Sequence, residues 1–272
     1  MMGIVLFNTA LAIYLAAAVA YGASLWSRRV FPARMATGLT AFALAIHSLS
    51  LIAGWMAVTA TPFLGLKVVH SLFAWAMAAA YLALQLKTKT RVLGVFVSPV
   101  ICLLMIIASR ELGGAVAAPE LLRGSLVMLH VVLSVSGEAL FAVASLAGLM
   151  YLIQDSLLRG KMGGGLSRLF PSLHDLDRIN YLCLIGGFSL LTLGGLAGSA
   201  WARMVWGSHW QWDTKQVWTL LAWAFYAFLL HQRLAIGWRG RTAARWSLAA
   251  FLALLILLIL GKVFFPTIHR FV

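Results

Sequence analysis

Long apolar runs constrain the fold of this chain more than any other feature of its sequence. A membrane-spanning helix needs about 20 consecutive apolar residues, and the sequence contains eight such runs. Charged residues make up only 10% of the 272 residues, whereas a soluble domain of this length exposes far more charge. The chain is therefore predicted to be an all-α, polytopic membrane helix bundle with about eight transmembrane helices. These helices are predicted at roughly 4–26, 36–58, 65–86, 92–109, 123–153, 179–203, 216–235 and 246–265.

The runs form two groups within one predicted membrane domain, residues 1–272. Helices 1–4 occupy residues 1–110, and helices 5–8 with a tryptophan-rich loop occupy residues 120–272. The fifth run is long enough to project beyond the bilayer or to tilt strongly. The first run is too long for a signal peptide, so we interpret it as a retained helix.

The basic residues between the runs predict the orientation of the bundle. Of the 21 lysines and arginines, 14 lie in or beside the loops that follow runs 1, 3, 5 and 7. Loops rich in positive charge stay in the cytoplasm, which places both termini on the outer side. The net charge of +14 thus reflects orientation in a lipid bilayer, and we expect no nucleic-acid partner.

Cysteine usage narrows the possible chemistry further. The two cysteines, Cys102 and Cys183, both lie inside apolar runs, and the sequence has no C-x-x-C. This pattern argues against a disulfide scaffold, a zinc site and covalent c-type haem attachment within this chain.

The segment 206–218 reads WGSHWQWDTKQVW and concentrates four tryptophans, a histidine, a lysine and an aspartate between two apolar runs. An aromatic belt at the membrane–water interface accounts for isolated tryptophans, but it accounts poorly for this spacing. A flat apolar surface edged by polar groups suits a large planar ligand. Gly207 is interpreted as a position of close backbone approach. The candidate ligand-binding residues are Trp206, Gly207, Trp210, Trp212, Asp213 and Trp218.

Two histidines are predicted to lie on the same outer face as this segment. His130 lies roughly 10 Å along helix 5 from its outer end, at about 1.5 Å per residue, and His269 follows helix 8. Neutral imidazoles on opposite sides of a planar macrocycle hold haem iron axially. We therefore interpret His130 and His269 as candidate ligands of a haem iron.

The tryptophan segment resembles the WGxxWxWD signature of the haem-handling cytochrome c biogenesis proteins, the WWD family. Its continuation, residues 213–218, is similar to the WDPKExW of the CcsA/ResC branch more than to the CcmC branch. Thr214 stands where that branch has proline, and Gln216 stands where it has glutamate. The chain around His130 resembles the CcsA motif in which an outer-face histidine follows a methionine-rich helix start. Residues 267–271, TIHRF, resemble the GLHSY-like motif without its glycine and serine.

This resemblance implies that the chain handles haem b in system II assembly of cytochromes c. It implies that His130 and His269 ligate haem beside the tryptophan segment. The protein is then expected to move haem to the outer membrane face and to present it to apocytochrome c. There the thiols of a C-x-x-C-H segment form thioethers with haem.

The resemblance also implies a complex and a location. The chain would be the haem-presenting subunit of a holocytochrome c synthase and would act with a separate CcsB/ResB-like membrane subunit. The expected location is the bacterial inner (cytoplasmic) membrane with the functional loop on the periplasmic side, or a thylakoid membrane in an organelle.

Two related functions remain open at this point. A HemX/YpjD-like membrane regulatory protein shares the eight-helix plan, and a CcmC-like haem chaperone loads a soluble carrier. The complete tryptophan motif argues against the first, and the continuation after Asp213 with the terminal His269 argues against the second. Glycine pairs in helix 6 are typical of close helix packing rather than of a transporter for another solute.

A further histidine, His231, lies toward the cytoplasmic end of helix 7. It resembles the histidine of the YLHTR motif of the family, which belongs to a second haem site, with iron ligated from the other side by the partner subunit. An ionisable side chain at this depth suggests function. The alternative is that His231 joins Arg233 near the lipid headgroups.

The other histidines have weaker signals. His70 lies near the outer end of helix 3 and is a candidate for lining the outer cavity. His209 lies inside the tryptophan segment and is expected to line the site rather than to bind iron. His47 is expected either to pack against Ser48 and Ser50 or to complete the inner haem site.

Two acidic residues complete the candidates. Asp213 is expected either to form a salt bridge with Lys215 or to hold the loop through backbone amides. Glu138 lies inside helix 5, where an uncompensated carboxylate is costly. We expect Glu138 to be protonated or paired with a neighbouring helix, without a catalytic role.

Overall fold

Eight α-helices make up most of the structure, a computed structural model that describes residues 2–27, 30–57, 66–88, 90–110, 124–160 and 170–264. They are α1 (Met2–Ser27), α2 (Val30–Ala57), α3 (Leu66–Thr88), α4 (Gly94–Arg110), α5 (Ser125–Arg159), α6 (Leu173–Trp206), α7 (Thr214–His231) and α8 (Gly240–Phe264). A 3-10 turn, Arg91–Leu93, precedes α4, and a π-helical turn, Gln232–Ile236, follows α7. The described residues contain no strand, and all eight helices are long and apolar enough to cross a membrane. The predicted all-α bundle of about eight transmembrane helices is therefore confirmed.

The two longest helices, α5 and α6, pack against each other more extensively than any other pair. α5 has 35 residues and α6 has 34, so each is about 50 Å long at about 1.5 Å per residue. α6 begins at Leu173, well before the predicted residue 179, because the Ser172 hydroxyl oxygen accepts a hydrogen bond from the Asp175 backbone N–H at 3.1 Å and caps the helix. The predicted start was wrong here because an apolar run marks only the part of a helix that crosses lipid.

The helices pack in two groups. In the first group α1 packs on α2 and α4, and α3 packs on α4; in the second, α5 packs on α6 and α8. Contacts between α3 and α5 join the two groups. α7 packs much less closely against α6 than α5 does, so the second group leaves space between α6 and α7.

His47 is fully buried in the first group and belongs to its packing. Its Nε2 lies 2.8 Å from the Ser71 hydroxyl of α3. The predicted partners were wrong, because Ser48 and Ser50 form hydrogen bonds elsewhere. Ser48 accepts one from the Trp75 indole N–H at 2.8 Å, and Ser50 donates to a backbone carbonyl at 2.9 Å.

A buried polar group, here called the Arg233 cluster, connects the turn after α7 to α5, α6 and α8. The Arg233 guanidinium donates a hydrogen bond to the Asn180 side-chain oxygen at 3.0 Å and forms an ion pair with the Asp177 carboxylate at 2.7 Å. Asn180 donates to the Ala144 carbonyl at 2.8 Å and to the Ser247 hydroxyl at 2.9 Å. Arg233 is therefore buried among helices, and the depth of Arg233 and His231 relative to the lipid headgroups stays a prediction.

Candidate functional site

A cleft of about 390 Å³ lies between the first residues of α5, the last residues of α6 and the first half of α7. Its volume is within the range of small-molecule sites, about 300–1,000 Å³. The aromatic part of its lining is Trp201, Trp206, Trp210 and Trp223, and the titratable part is His130, His209 and Lys215. The structure thus brings the predicted His130 and two of the predicted tryptophans to one cavity.

His130 is oriented by the backbone of the neighbouring helix. Its Nδ1 lies 2.8 Å from the Gly194 carbonyl oxygen of α6. Because a carbonyl oxygen only accepts hydrogen bonds, Nδ1 carries the proton, and Nε2 keeps its lone pair. Nε2 forms no hydrogen bond within the described part of the chain. This is the usual state of a histidine that binds a metal, in which the other ring N–H is held by a carbonyl or a carboxylate.

The His130 ring lies directly on α6 at a position that has no side chain. A Cβ atom at Gly198 would lie 2.5 Å from the His130 Nδ1, which is far inside van der Waals contact. Any other residue at 198 would therefore push the imidazole away from the Gly194 carbonyl. Contact with Gly198 fixes the position of the His130 ring, and the Gly194 carbonyl fixes the proton on its Nδ1.

Gly207 ends α6 and turns the chain into the tryptophan segment. It adopts the left-handed conformation with φ of 74°, and its N–H donates to the Arg203 carbonyl at 2.9 Å. No atom of the described residues lies within 4 Å of the place where a Cβ would stand. Glycine is favoured here because it tolerates the positive φ, and close approach of its backbone to a ligand stays a prediction.

The end of the segment is held by the first turn of α7. Asp213 is buried and caps α7, since its carboxylate accepts a hydrogen bond from the Lys215 backbone N–H at 3.2 Å. The Gln216 side-chain oxygen accepts one from the Gln211 backbone N–H at 2.9 Å. An N-terminal cap with a glutamine three residues later resembles a capping box. Asp213 therefore holds the loop through a backbone amide, as expected, and the Gln216 side chain also binds a backbone amide of the loop.

The predicted tryptophans divide into two sets. Trp206 and Trp210 line the cleft, and Trp206 packs edge to face on Trp201 at 5.1 Å between ring centroids. Trp212 has a positive φ of 53° and is 80% exposed. Trp212, Asp213, Gly207 and Trp218 are absent from the described lining of the cleft, so they shape or flank the site.

His209 lines the cleft with both ring nitrogens engaged by α6. The Arg203 guanidinium donates to Nε2 at 3.0 Å, and Nδ1 lies 3.2 Å from the Ser199 carbonyl. These two contacts fasten the tryptophan segment to α6. They leave no ring nitrogen for iron in this conformation, in agreement with the expected lining role.

Three other predicted residues lie apart from the cleft or outside the described residues. His70 is not among the described residues that line it. His231 is exposed at the last residue of α7, about 24 Å along the helix from Lys215 at about 1.5 Å per residue. His269 lies outside the described residues, so its pairing with His130 stays a prediction.

Several lining residues of α7 were not predicted. Gln216, Thr219, Leu220 and Trp223 recur at the spacing of one helix face and line the cleft. Trp223 donates its indole N–H to the Thr192 hydroxyl at 2.9 Å and lies 5.3 Å from Phe188 between ring centroids. This periodicity is visible in the sequence, but it appears as part of an apolar run until the cleft is known.

Charge at the cleft comes from Lys215. Its side chain lines the cavity and lies close enough to His130 and Glu138 for electrostatic interaction. Glu138 lies near Lys215 and Tyr226 of α7, and its pairing with a neighbouring helix stays a prediction. Glu138 itself is not among the described lining residues.

The chain is similar to proteins of cytochrome c assembly. Residues 65–269 match the family described as Cytochrome C assembly protein. A cytochrome c biogenesis protein CcsA from Microcystis aeruginosa is 29% identical, over 85% of this chain and 84% of its own length. CcsA of Pyropia yezoensis is 28% identical over 84% of this chain and 85% of its own, and CcsA of Gloeobacter violaceus is 27% identical over 92% and 90%. The family match includes all three helices that line the cleft.

Proposed function

Because the chain belongs to the family of cytochrome c assembly proteins and acts in cytochrome c biogenesis, we propose that it binds haem in this cleft and presents it to apocytochrome c. The similarity to CcsA proteins over most of the chain supports this function over a HemX/YpjD-like regulator or a CcmC-like chaperone. The chain is a multi-pass membrane protein with eight candidate spans in its described residues. Haem handling follows from the family, and the residues that perform it are the subject of the proposal.

One observation carries the assignment of the haem ligand. The His130 Nδ1–H is bound to the Gly194 carbonyl, and the deprotonated Nε2 remains on a residue that lines the cleft. A histidine held in this way has the tautomer that ligates iron. The residues present therefore fit a haem with His130 as an axial ligand.

The tryptophans of the cleft provide the surface for the macrocycle. Indole rings offer large, flat apolar faces that stack on planar ligands. Trp206 and Trp210 line the cleft on the side of the tryptophan segment, and Trp223 lines it on α7. Haem supplies the vinyl carbons that form thioethers with the thiols of a C-x-x-C-H segment. The chain's own residues bind haem, orient it and shield one of its faces from water.

The second axial ligand and a second haem site extend this proposal. We assign the opposing ligand in the outer cleft to His269, which follows α8. We assign His231 to an inner site, with iron ligated from the other side by a separate CcsB/ResB-like membrane subunit. The exposure of His231 at the end of α7 supports a site that needs a partner, because an exposed imidazole is accessible to another chain.

We further propose that the chain is the haem-presenting subunit of a holocytochrome c synthase in the bacterial inner membrane, or in a thylakoid membrane, and that its ligand is haem b. The distribution of basic residues supports an outer, periplasmic location for the cleft. In this function His130 and the tryptophans hold and orient the ligand. The nucleophile comes from the apocytochrome, so no catalytic residue is assigned in this chain.

The test is the visible absorption spectrum of the purified protein with haem. We expect a spectrum of histidine-ligated iron in the wild-type protein and its loss in His130→Ala. His174→Ala is the matched control, because His174 is exposed at the opposite end of α6. Added imidazole should restore the spectrum of His130→Gly. An unchanged spectrum in His130→Ala would remove this ligand, and a wild-type protein that binds no haem would remove the function.

A further inference from the structure

Lys215 is the single residue with a fixed positive charge among the described residues that line the cleft. The other cation nearby, Arg203, donates its guanidinium to His209 and is not part of this lining. Arg203 therefore holds the tryptophan segment, whereas Lys215 presents its charge to the cavity.

The Lys215 ammonium is not neutralised by a close acid. Among the described residues the ion pairs join Arg159 and Arg241 to Asp155 and Arg233 to Asp177, and none includes Lys215. Asp213 and Glu138 interact with it electrostatically, but the Asp213 carboxylate accepts from the Lys215 backbone N–H instead. A lysine that lines an apolar, aromatic cavity without an ion pair is suited to an anionic group of a ligand.

The remaining lining leaves few other positions for an anion. Apart from Lys215, the polar groups of the described lining are neutral hydroxyls, an amide, the indole N–H groups of the tryptophans and the two histidines, and none of these carries a fixed charge. Of the histidines, His130 offers a lone pair rather than an N–H to the cavity, and His209 is engaged by α6. A ligand carboxylate is therefore stabilised best at the first turn of α7.

We propose that Lys215 binds the carboxylate edge of the planar ligand and thereby sets which edge of the macrocycle faces out of the cleft. This inference rests on the proposed haem binding and adds the group that orients the ligand. Haem carries its two carboxylates on one edge and its vinyl groups away from that edge. With iron held at His130 and the carboxylates held at Lys215, rotation of the macrocycle in its own plane is prevented. Lys215 is in this sense a positioning residue.

The experiment compares haem with haem dimethyl ester, in which both carboxylates are esterified. Dissociation constants of the two ligands are measured on the purified chain in detergent for wild type, Lys215→Met and Lys215→Arg. Lys87→Met is the control, since Lys87 is exposed near the opposite end of the bundle in the last turn of α3. We expect Lys215→Met to weaken haem binding about tenfold, as for the loss of one hydrogen bond to a charged group. Binding of the ester should not change.

The ratio of the two constants distinguishes the outcomes. Lys215→Arg and Lys87→Met should keep the wild-type ratio, because the first keeps the charge and the second lies far from the cleft. Equal weakening of haem and ester in Lys215→Met would show damage to the loop and would overturn the inference, as would an unchanged ratio. A wild-type chain that binds both ligands equally overturns only the role of Lys215. A wild-type chain that binds neither ligand overturns haem binding as well.

Discussion

The cleft and the Arg233 cluster lie toward opposite ends of α6. They differ in whether their polar groups have partners within the protein. In the Arg233 cluster the guanidinium, the Asn180 amide and the Ser247 hydroxyl all have partners within the protein. In the cleft, His130 is bound through one nitrogen only, and Lys215 has no ion pair among the described residues. Saturated polar groups stabilise the helix assembly, whereas groups left open toward a cavity are available to a ligand.

The largest expected effect tests the Arg233 cluster, in which the polar groups have partners within the protein. Arg233→Ala removes a buried guanidinium with its ion pair to Asp177 and its hydrogen bond to Asn180. Because Asp177 is 21% exposed, we expect a cost at the lower end for buried pairs, about 3 kcal/mol. We expect a large fall in the thermal unfolding temperature of the purified protein and in its yield. Arg239→Ala, at an exposed arginine a few residues on, should have little effect. If Arg233→Ala unfolded like the wild type but lost haem, the two regions would not differ in the way described.

A smaller effect tests how the cleft is organised. Gly198→Ala places a Cβ 2.5 Å from the His130 Nδ1 and should displace the imidazole from the Gly194 carbonyl. We expect about a tenfold loss of haem affinity, as for other losses of a group that orients a metal ligand. Titration of the absorption spectrum measures it.

Gly195→Ala is the control for this change. Gly195 also lines the cleft, but nothing in the described residues lies within 4 Å of its missing Cβ. Both substitutions improve helix propensity equally, so a difference in haem affinity reports on His130. Equal affinities in the two variants would contradict the proposed role of the Gly194 and Gly198 contacts.

The smallest expected effect concerns Asp213, which caps α7 beside the cleft. Asp213→Ala removes the cap of α7 and should cost about 1 kcal/mol, which corresponds to about 2–4 °C in unfolding temperature. Asp213→Ser should recover most of the loss, because serine also caps helices. Haem affinity should change little in both variants. Complete loss of haem binding in Asp213→Ser would instead place the carboxylate in contact with the ligand.

The sequence predicted the bundle well because apolar length is a direct consequence of the bilayer thickness. It also indicated His130, Trp206 and Trp210, because a histidine and a dense group of tryptophans stand out against an apolar background. The paired glycines of α6 were predicted to serve close packing, and Gly187 and Gly194 do meet α5 in this way. These features depend on residue type and depth, which a sequence shows directly.

Other features depend on partners that lie far apart in the chain. The bond between His130 and Gly194 joins two helices, and so does the bond between His47 and Ser71. The left-handed conformation of Gly207 was not predicted either, because a backbone angle leaves no direct pattern in residue type. The ion pair of Arg233 was not predicted, because its acid, Asp177, lies far earlier in the chain, near the start of α6.

The length of the α5–α6 pair has a consequence for where the pair leaves the membrane. Two antiparallel rods of about 50 Å exceed a hydrocarbon layer of about 30 Å by several helical turns, even with moderate tilt. The cleft is bounded by the first residues of α5 and the last residues of α6, so it lies at one tip of this pair. The mostly polar residues 154–159 and 173–178, at the other tip, make up most of this extra length, so the pair extends beyond lipid mainly on the side away from the cleft.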